Sequence, residues 1–174
     1  MIGAVDVAPL LLDLYGRTPP LAREAVEGLT ADQLAWAPGP GSNTIGWLVW
    51  HMGRILDAEF ADLMGGGDQL WTTGDWAGHF GIEADPADNG YGHTPEQVAA
   101  VRPEGTEPLL AYFEAAHARA CGFLEGLSAA DLDRIVDTSW DPPVTLGVRL
   151  VSLGDDGLQH VGQAAYLRGL LERS

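Results

Sequence analysis

Five histidines and one cysteine are the scarce reactive side chains of this 174-residue chain, so each can be weighed. His51 lies in the stripe Ile45, Leu48, Met52, Ile55 and Leu56, three residues after Leu48 and four before Ile55. At helical spacing its imidazole faces the core. Near the end of the chain a second stripe runs through Leu153, Asp156, His160, Ala164, Leu167 and Leu171. Asp156 and His160 thus occupy adjacent turns of a face that should be apolar, and their i, i+4 spacing projects both the same way. Burying an unpaired carboxylate is costly, so Asp156 needs a counter-charge. No lysine exists in the chain to supply it. A divalent ion held by His51, Asp156 and His160 answers that need, and two imidazoles with one carboxylate match catalytic zinc sites that keep a fourth position open. An Asp–His hydrogen bond in the core, with His51 as a hydrogen-bonded core residue, is the competing reading. Gly154 and Gly157 flank Asp156, and local irregularity there would either place its carboxylate or bring Asp155 in instead.

Other residues carry weaker signals. For Gln163, three after His160, a solvated or interhelical role is the favoured reading and an orienting contact to His160 the alternative; Arg168 shares that run. Arg54 and Arg149 suit either an acidic thiol cofactor or surface ion pairs. Asp57 and Glu59 read as a solvated helix face. His117 approaches the interior from a third helix, whereas His79 and His93 belong to an exposed segment. Trp47, Trp50, Trp71 and Trp76 read as packing, or as an aromatic rim over an open metal position. Cys121 reads as a small buried hydrophobe rather than a nucleophile.

Four substantial helices must position these groups. The first covers about residues 5–28, beginning its repeat at Val5, and Pro19-Pro20 kinks or splits it. A short helical turn within 30–42 ends in Pro38-Gly39-Pro40-Gly41. Ser42, Asn43 and Thr44 offer caps for the second helix, which the triplet Gly65-Gly66-Gly67 terminates. Residues 68–93 read as a long, partly ordered surface excursion. Thr94-Pro95-Glu96-Gln97 is a capping box opening a helix that Pro103 and Pro108 interrupt; it resumes over about 108–126. The last helix covers about 146–172. No strand alternation stands out, so the expected fold is an all-α four-helix bundle, a single domain over 1–174, with one long irregular connection between helices 2 and 3.

Composition removes several function classes. Hydrophobic residues make up 46% of the chain, enough for a real core, and the formal charge is -16. Such an acidic surface repels phosphate backbones and anionic lipid, so no nucleic-acid or membrane partner is expected. All nine basic residues are arginine, which rules out a lysine Schiff base or a P-loop. The lone cysteine and the absence of a basic, uninterrupted apolar leader favour a cytoplasmic protein. A homodimer is left open.

The segment "NTIGWLVWHMGRILDAE", with Trp50-His51-Met52, and the closing run "DGLQHVGQAAYLRGLL" resemble the two signatures of the DinB/YfiT-like metalloenzyme family. The middle stretch "LWTTGDWAGHFGIEADPADNGYGHTPEQVAAVR" is similar to an actinobacterial branch associated with mycothiol-dependent enzymes. This resemblance covers nearly the whole chain. It implies a four-helix bundle with a metal site near one end, whose ligands fall on His51, Asp156 and His160. Zinc or nickel is the expected ion, and mycothiol or a similar low-molecular-weight thiol the expected cosubstrate, transferred to a small electrophilic substrate. Two neutral histidines and one carboxylate would leave zinc a residual charge of about +1, which favours a bound thiolate. A metal-dependent hydrolase, and a non-catalytic metal-binding bundle acting through a partner, are the alternatives.

Overall fold

The computed structural model describes residues 6–174. Val5, where the sequence repeat begins, lies outside them. The chain is mostly helical, with one small two-stranded sheet. The expected first helix is split in two: α1 (Val7–Tyr15) is capped by the Asp6 carboxylate, and α2 (Thr18–Val26) follows a break at Gly16-Arg17. Pro19 and Pro20 sit in the first turn of α2, where a missing N–H sacrifices no intrahelical bond. The short α3 (Ala31–Leu34) carries a complete capping box between Thr30 and Gln33.

Helix α4 (Ile45–Leu63) starts where the cap residues place it, with the Thr44 hydroxyl accepting from the Trp47 N–H at 3.0 Å. It stops just before the glycine triplet. Further on come α5 (Leu70–Thr73), a 3₁₀ turn over Ala77–Phe80, and α6 (Pro95–Ala100) behind its capping box. Helix α7 (Thr106–Leu124) contains Pro108 in its first turn, so that proline opens the helix instead of interrupting it. The last helix, α8 (Leu146–Leu171), lies close to the expected bounds.

Two expectations need correcting. Strands β1 (Ile135–Asp137) and β2 (Val144–Thr145) pair antiparallel just before α8. Strands of three and two residues are too short for alternation to show in the sequence. Nor is the 68–93 segment a surface excursion throughout. Trp71 and Phe80 are completely buried, and their rings pack edge-to-face with centroids 5.4 Å apart.

Helix α4 is the hub, packing on both α7 and α8, while α2 lies on α8 and α1 on α7. Its side chains Leu48, Trp50 and Phe60 meet Leu109, Tyr112 and Phe113 of α7 and Leu150 and Ala164 of α8 in one continuous core. Among the described residues no helix is long and apolar enough to cross a membrane.

Candidate metal centre

His51 comes from the middle of α4 and is buried; Asp156 and His160 come from adjacent turns of α8. The packing of α4 on α8 brings all three together, and one potential ligand atom from each lies within 4.8 Å of the others. Asp156 Oδ1 is 3.3 Å from His160 Nε2 and 3.9 Å from His51 Nε2. The two imidazole rings stand nearly perpendicular, at 82°, with centroids 4.8 Å apart. Each ring therefore turns its Nε2 toward the shared carboxylate.

The other nitrogen of each ring is already engaged. His51 Nδ1 bonds to the backbone carbonyl of Asn89, which can only accept, so Nδ1 carries the proton and Nε2 keeps its lone pair. His160 Nδ1 lies 3.0 Å from Gln163 Oε1, the same arrangement provided by a side chain. Gln163 is thus not simply solvated or interhelical, the favoured expectation, but holds the orienting position that was its alternative. Such outer contacts fix the tautomer and orientation that a metal-binding histidine requires. Asp156 Oδ2 is buried without a hydrogen-bond partner. A buried carboxylate oxygen left unmatched is costly, and a cation among these donors would satisfy it. Donor types, tautomers and the orphaned oxygen all fit a divalent ion.

The glycines beside Asp156 have a different role from the one expected. Helix α8 runs on without a break, and Gly154 and Gly157 instead let the α1–α2 corner approach. A Cβ at Gly154 would come within 2.8 Å of Leu14, and one at Gly157 within 3.4 Å of Thr18. Asp155 points away: it is exposed, and its carboxylate accepts from Gln159 at 2.7 Å.

Burial lowers the pKa of His51, and the Asn89 carbonyl and the Asp156 charge only partly oppose it. At His160 burial also pulls downward, but hydrogen bonds to Asp156 and Gln163 outweigh it and the pKa rises. The two imidazoles are therefore inequivalent.

Trp47 roofs the cluster. Its ring stacks on His51 at 4.8 Å with planes 10° apart, and its Nε1–H donates to His93 Nδ1 at 3.1 Å. His93 Nε2 in turn donates to Asp88 Oδ1 at 2.8 Å. His93 is thus not exposed: its side chain is only 8% accessible. His79 is exposed as expected and pairs with Glu104 at 2.7 Å.

Arg54 and Asp57 depart furthest from expectation. Neither lies on a solvated face or in reach of a cofactor; both side chains are completely buried. Asp57 accepts from the backbone N–H groups of Leu70 and Trp71, each at 2.8 Å, and from Tyr112 at 3.1 Å. Their i, i+3 spacing matches a surface pair, and only the folding of the 68–93 segment over them makes it internal. Arg149 does form the expected ion pairs, with Glu59 at 3.3 Å and Asp137 at 2.8 Å, and the half-buried Glu59 has its pKa raised by burial. Arg168 pairs with Glu172 and donates to the Glu27 carbonyl. His117 bonds to the Tyr15 carbonyl at 3.1 Å and touches Cys121, outside the His51 cluster. Burial raises the Cys121 thiol pKa, the opposite of what a nucleophile needs.

Asn89 carries no signal in the sequence because its contribution is a backbone carbonyl, which has no side-chain type to read. The Asn89-Gly90 pair marks a turn, and that turn delivers the carbonyl.

The profile of the DinB superfamily matches residues 14–164, a span that includes the whole cluster. A solved structure described as the conserved protein of locus from Enterococcus faecalis is similar throughout. It is 31% identical, with a TM-score of 0.88, and the match covers 98% of this chain and 100% of that one. Among curated proteins none matches. With the superfamily profile spanning most of its length, and a shared fold from end to end, the chain belongs to the DinB superfamily.

Proposed function

We propose that the chain is a metal-dependent enzyme in which His51, Asp156 and His160 hold one divalent ion, zinc or nickel, and a low-molecular-weight thiol is the cosubstrate. The observation carrying this reading is the paired orientation of the two imidazoles. Both Nδ1 atoms are engaged by acceptors, both Nε2 atoms face Asp156, and Asp156 Oδ2 has no other partner. A divalent ion at such a site supplies Lewis acidity, which favours the deprotonated form of a bound thiol or water.

The chain's own residues bind, orient and shield. Asn89 and Gln163 keep the imidazoles in the donor tautomer, and stacked Trp47 excludes water from the His51 side. His160 and Asp156 are only half-buried, so access is from the α8 side. Cys121 is not part of the cluster, so a sulfur nucleophile must enter from solution. The likeness of residues 70–102 to mycothiol-associated relatives favours mycothiol as that thiol and S-transfer to a small electrophile as the reaction. A four-helix bundle built from the α1–α2 pair, α4, α7 and α8 is the architecture this reading assumes.

The first test is metal analysis of protein purified without a chelating column; about one ion per chain is expected. The metal-loaded protein is then assayed against a panel of electrophiles with and without mycothiol. Turnover that requires both thiol and ion, and survives Cys121→Ser, supports the transferase. Equal turnover without thiol would replace it with a metal-dependent hydrolase, and silence across the panel with metal bound would favour a non-catalytic role.

A further inference from the structure

His51 and Arg54 stand one turn apart on α4, and they reach successive carbonyls of the same loop. His51 Nδ1–H donates to the carbonyl of Asn89, and Arg54 Nε–H donates to that of Asp88 at 2.8 Å. Arg54 Nη2 adds the Pro86 carbonyl at 3.1 Å and Gln69 Oε1 at 2.8 Å. On its other side Arg54 Nη1 meets Tyr112 at 3.1 Å and Asp57 at 3.4 Å, and its guanidinium lies over the Trp71 ring. No regular element occurs between Gly81 and Thr94, and residues 83–87 are exposed. This loop therefore has little apolar burial of its own. Polar contacts from the core hold it down, and a guanidinium with five fixed donors suits that task.

The loop's closest approach to the site is Gly90. Its backbone has φ +90°, and a Cβ there would lie 2.8 Å from His51 Nδ1, 2.9 Å from Trp50 and 3.0 Å from Trp47. Only glycine accepts both the left-handed conformation and that proximity. The Asp88 carboxylate finishes the turn by accepting from the Gly90 N–H at 3.1 Å and from His93.

We infer that the 86–90 loop is a clamp that sets the His51 tautomer and ring orientation, with Arg54 and Gly90 as positioning residues for the metal centre. The inference rests on the proposed metal reading for its consequence, but not for its geometry. Outer contacts to a metal-binding histidine typically change affinity 10–100-fold when lost.

Gly92 provides the control. It has the same left-handed backbone, φ +74°, in the same loop, yet nothing lies within 4 Å of where its Cβ would stand. Gly90→Ala and Gly92→Ala therefore share backbone strain and differ in contact with the site. The metal-free variants are compared by histidine ¹⁵N NMR, and zinc alone is then titrated in competition with a chromophoric chelator. Wild type and Gly92→Ala should show His51 as the Nδ1–H tautomer and bind zinc within about threefold of each other. Gly90→Ala should show mixed tautomers and bind about 10–100-fold more weakly. Arg54→Lys, which keeps the charge but loses the fork, should shift in the same direction.

A pure Nδ1–H tautomer with wild-type zinc affinity in Gly90→Ala would overturn the clamp. If the wild type binds no zinc, or His51→Ala binds it normally, the metal reading fails, and the tautomer comparison still decides whether the loop sets His51.

Discussion

Gly154 lies directly beneath Leu14, and a Cβ on that glycine would come within 2.8 Å of Leu14 Cδ2. The contact seats α1 on α8 two residues before Asp156. Alanine gains about 1 kcal/mol over glycine in a helix, but overpacking a tight contact costs about 1–3 kcal/mol. Gly154→Ala is therefore expected to destabilise by up to about 2 kcal/mol. Gly162, on the same helix with nothing near its Cβ position, should instead gain up to about 1 kcal/mol as alanine. Urea denaturation of the two variants gives both signs.

Asp57 is the only carboxylate paired with Arg54 among the described residues, and both are fully buried. Asp57→Ala would strand that guanidinium and remove the acceptor of two backbone N–H groups. Losing one partner of a buried pair costs about 3–5 kcal/mol. Exposed Asp62, on the same helix, should change stability by less than about 0.5 kcal/mol as alanine. Thermal melting of the metal-free proteins distinguishes them.

His160→Ala is expected to abolish stoichiometric zinc binding, and Asp156→Ala to weaken it far more than Asp155→Ala. The asymmetry follows from the carboxylates: Asp156 Oδ1 faces both imidazoles, whereas Asp155 is tied to Gln159. Calorimetric titration with zinc measures the order, and the reverse order would move the ligand by one residue.

Two histidines outside the cluster should titrate on opposite sides of the ordinary value of 6.5. Burial lowers His117, with the Tyr15 carbonyl opposing in part. Its contribution to stability is present above the unfolded pKa and is lost as pH falls through the lowered folded value. The hydrogen bond to Glu104 raises exposed His79, whose contribution holds below the unfolded pKa and is lost as pH rises through the folded one. Proton NMR of the imidazole C–H signals across pH 4–9 should show His117 losing its proton first and His79 last as pH rises.

The helical frame was legible because caps and stripes are local. Thr44, the Thr94–Gln97 box and the glycine triplet mark boundaries within a turn of the residues they affect. The cluster itself was legible for a related reason: a polar pair in an apolar stripe is a contradiction visible in one dimension. What could not be read depends on distant chain folding back. Arg54 and Asp57 have the spacing of a surface pair, and His93 the composition of a loop. Each becomes internal only because residues 68–93 lie over α4 and bring backbone groups that no residue type announces.

The cluster also joins parts of the chain that are remote in sequence. His51 belongs to the first third and Asp156 and His160 to the final helix, so an ion bound between them would close a loop of roughly a hundred residues. In the folded protein its effect would be that of a rivet. Undocking of α8 from α4 would require breaking metal–ligand bonds as well as apolar contacts, and the slowest hydrogen exchange would extend along α8 from its middle. The hairpin before α8, with exposed Trp140 at its turn, lies within the closed span. A protease cut there would leave two fragments still fastened to each other.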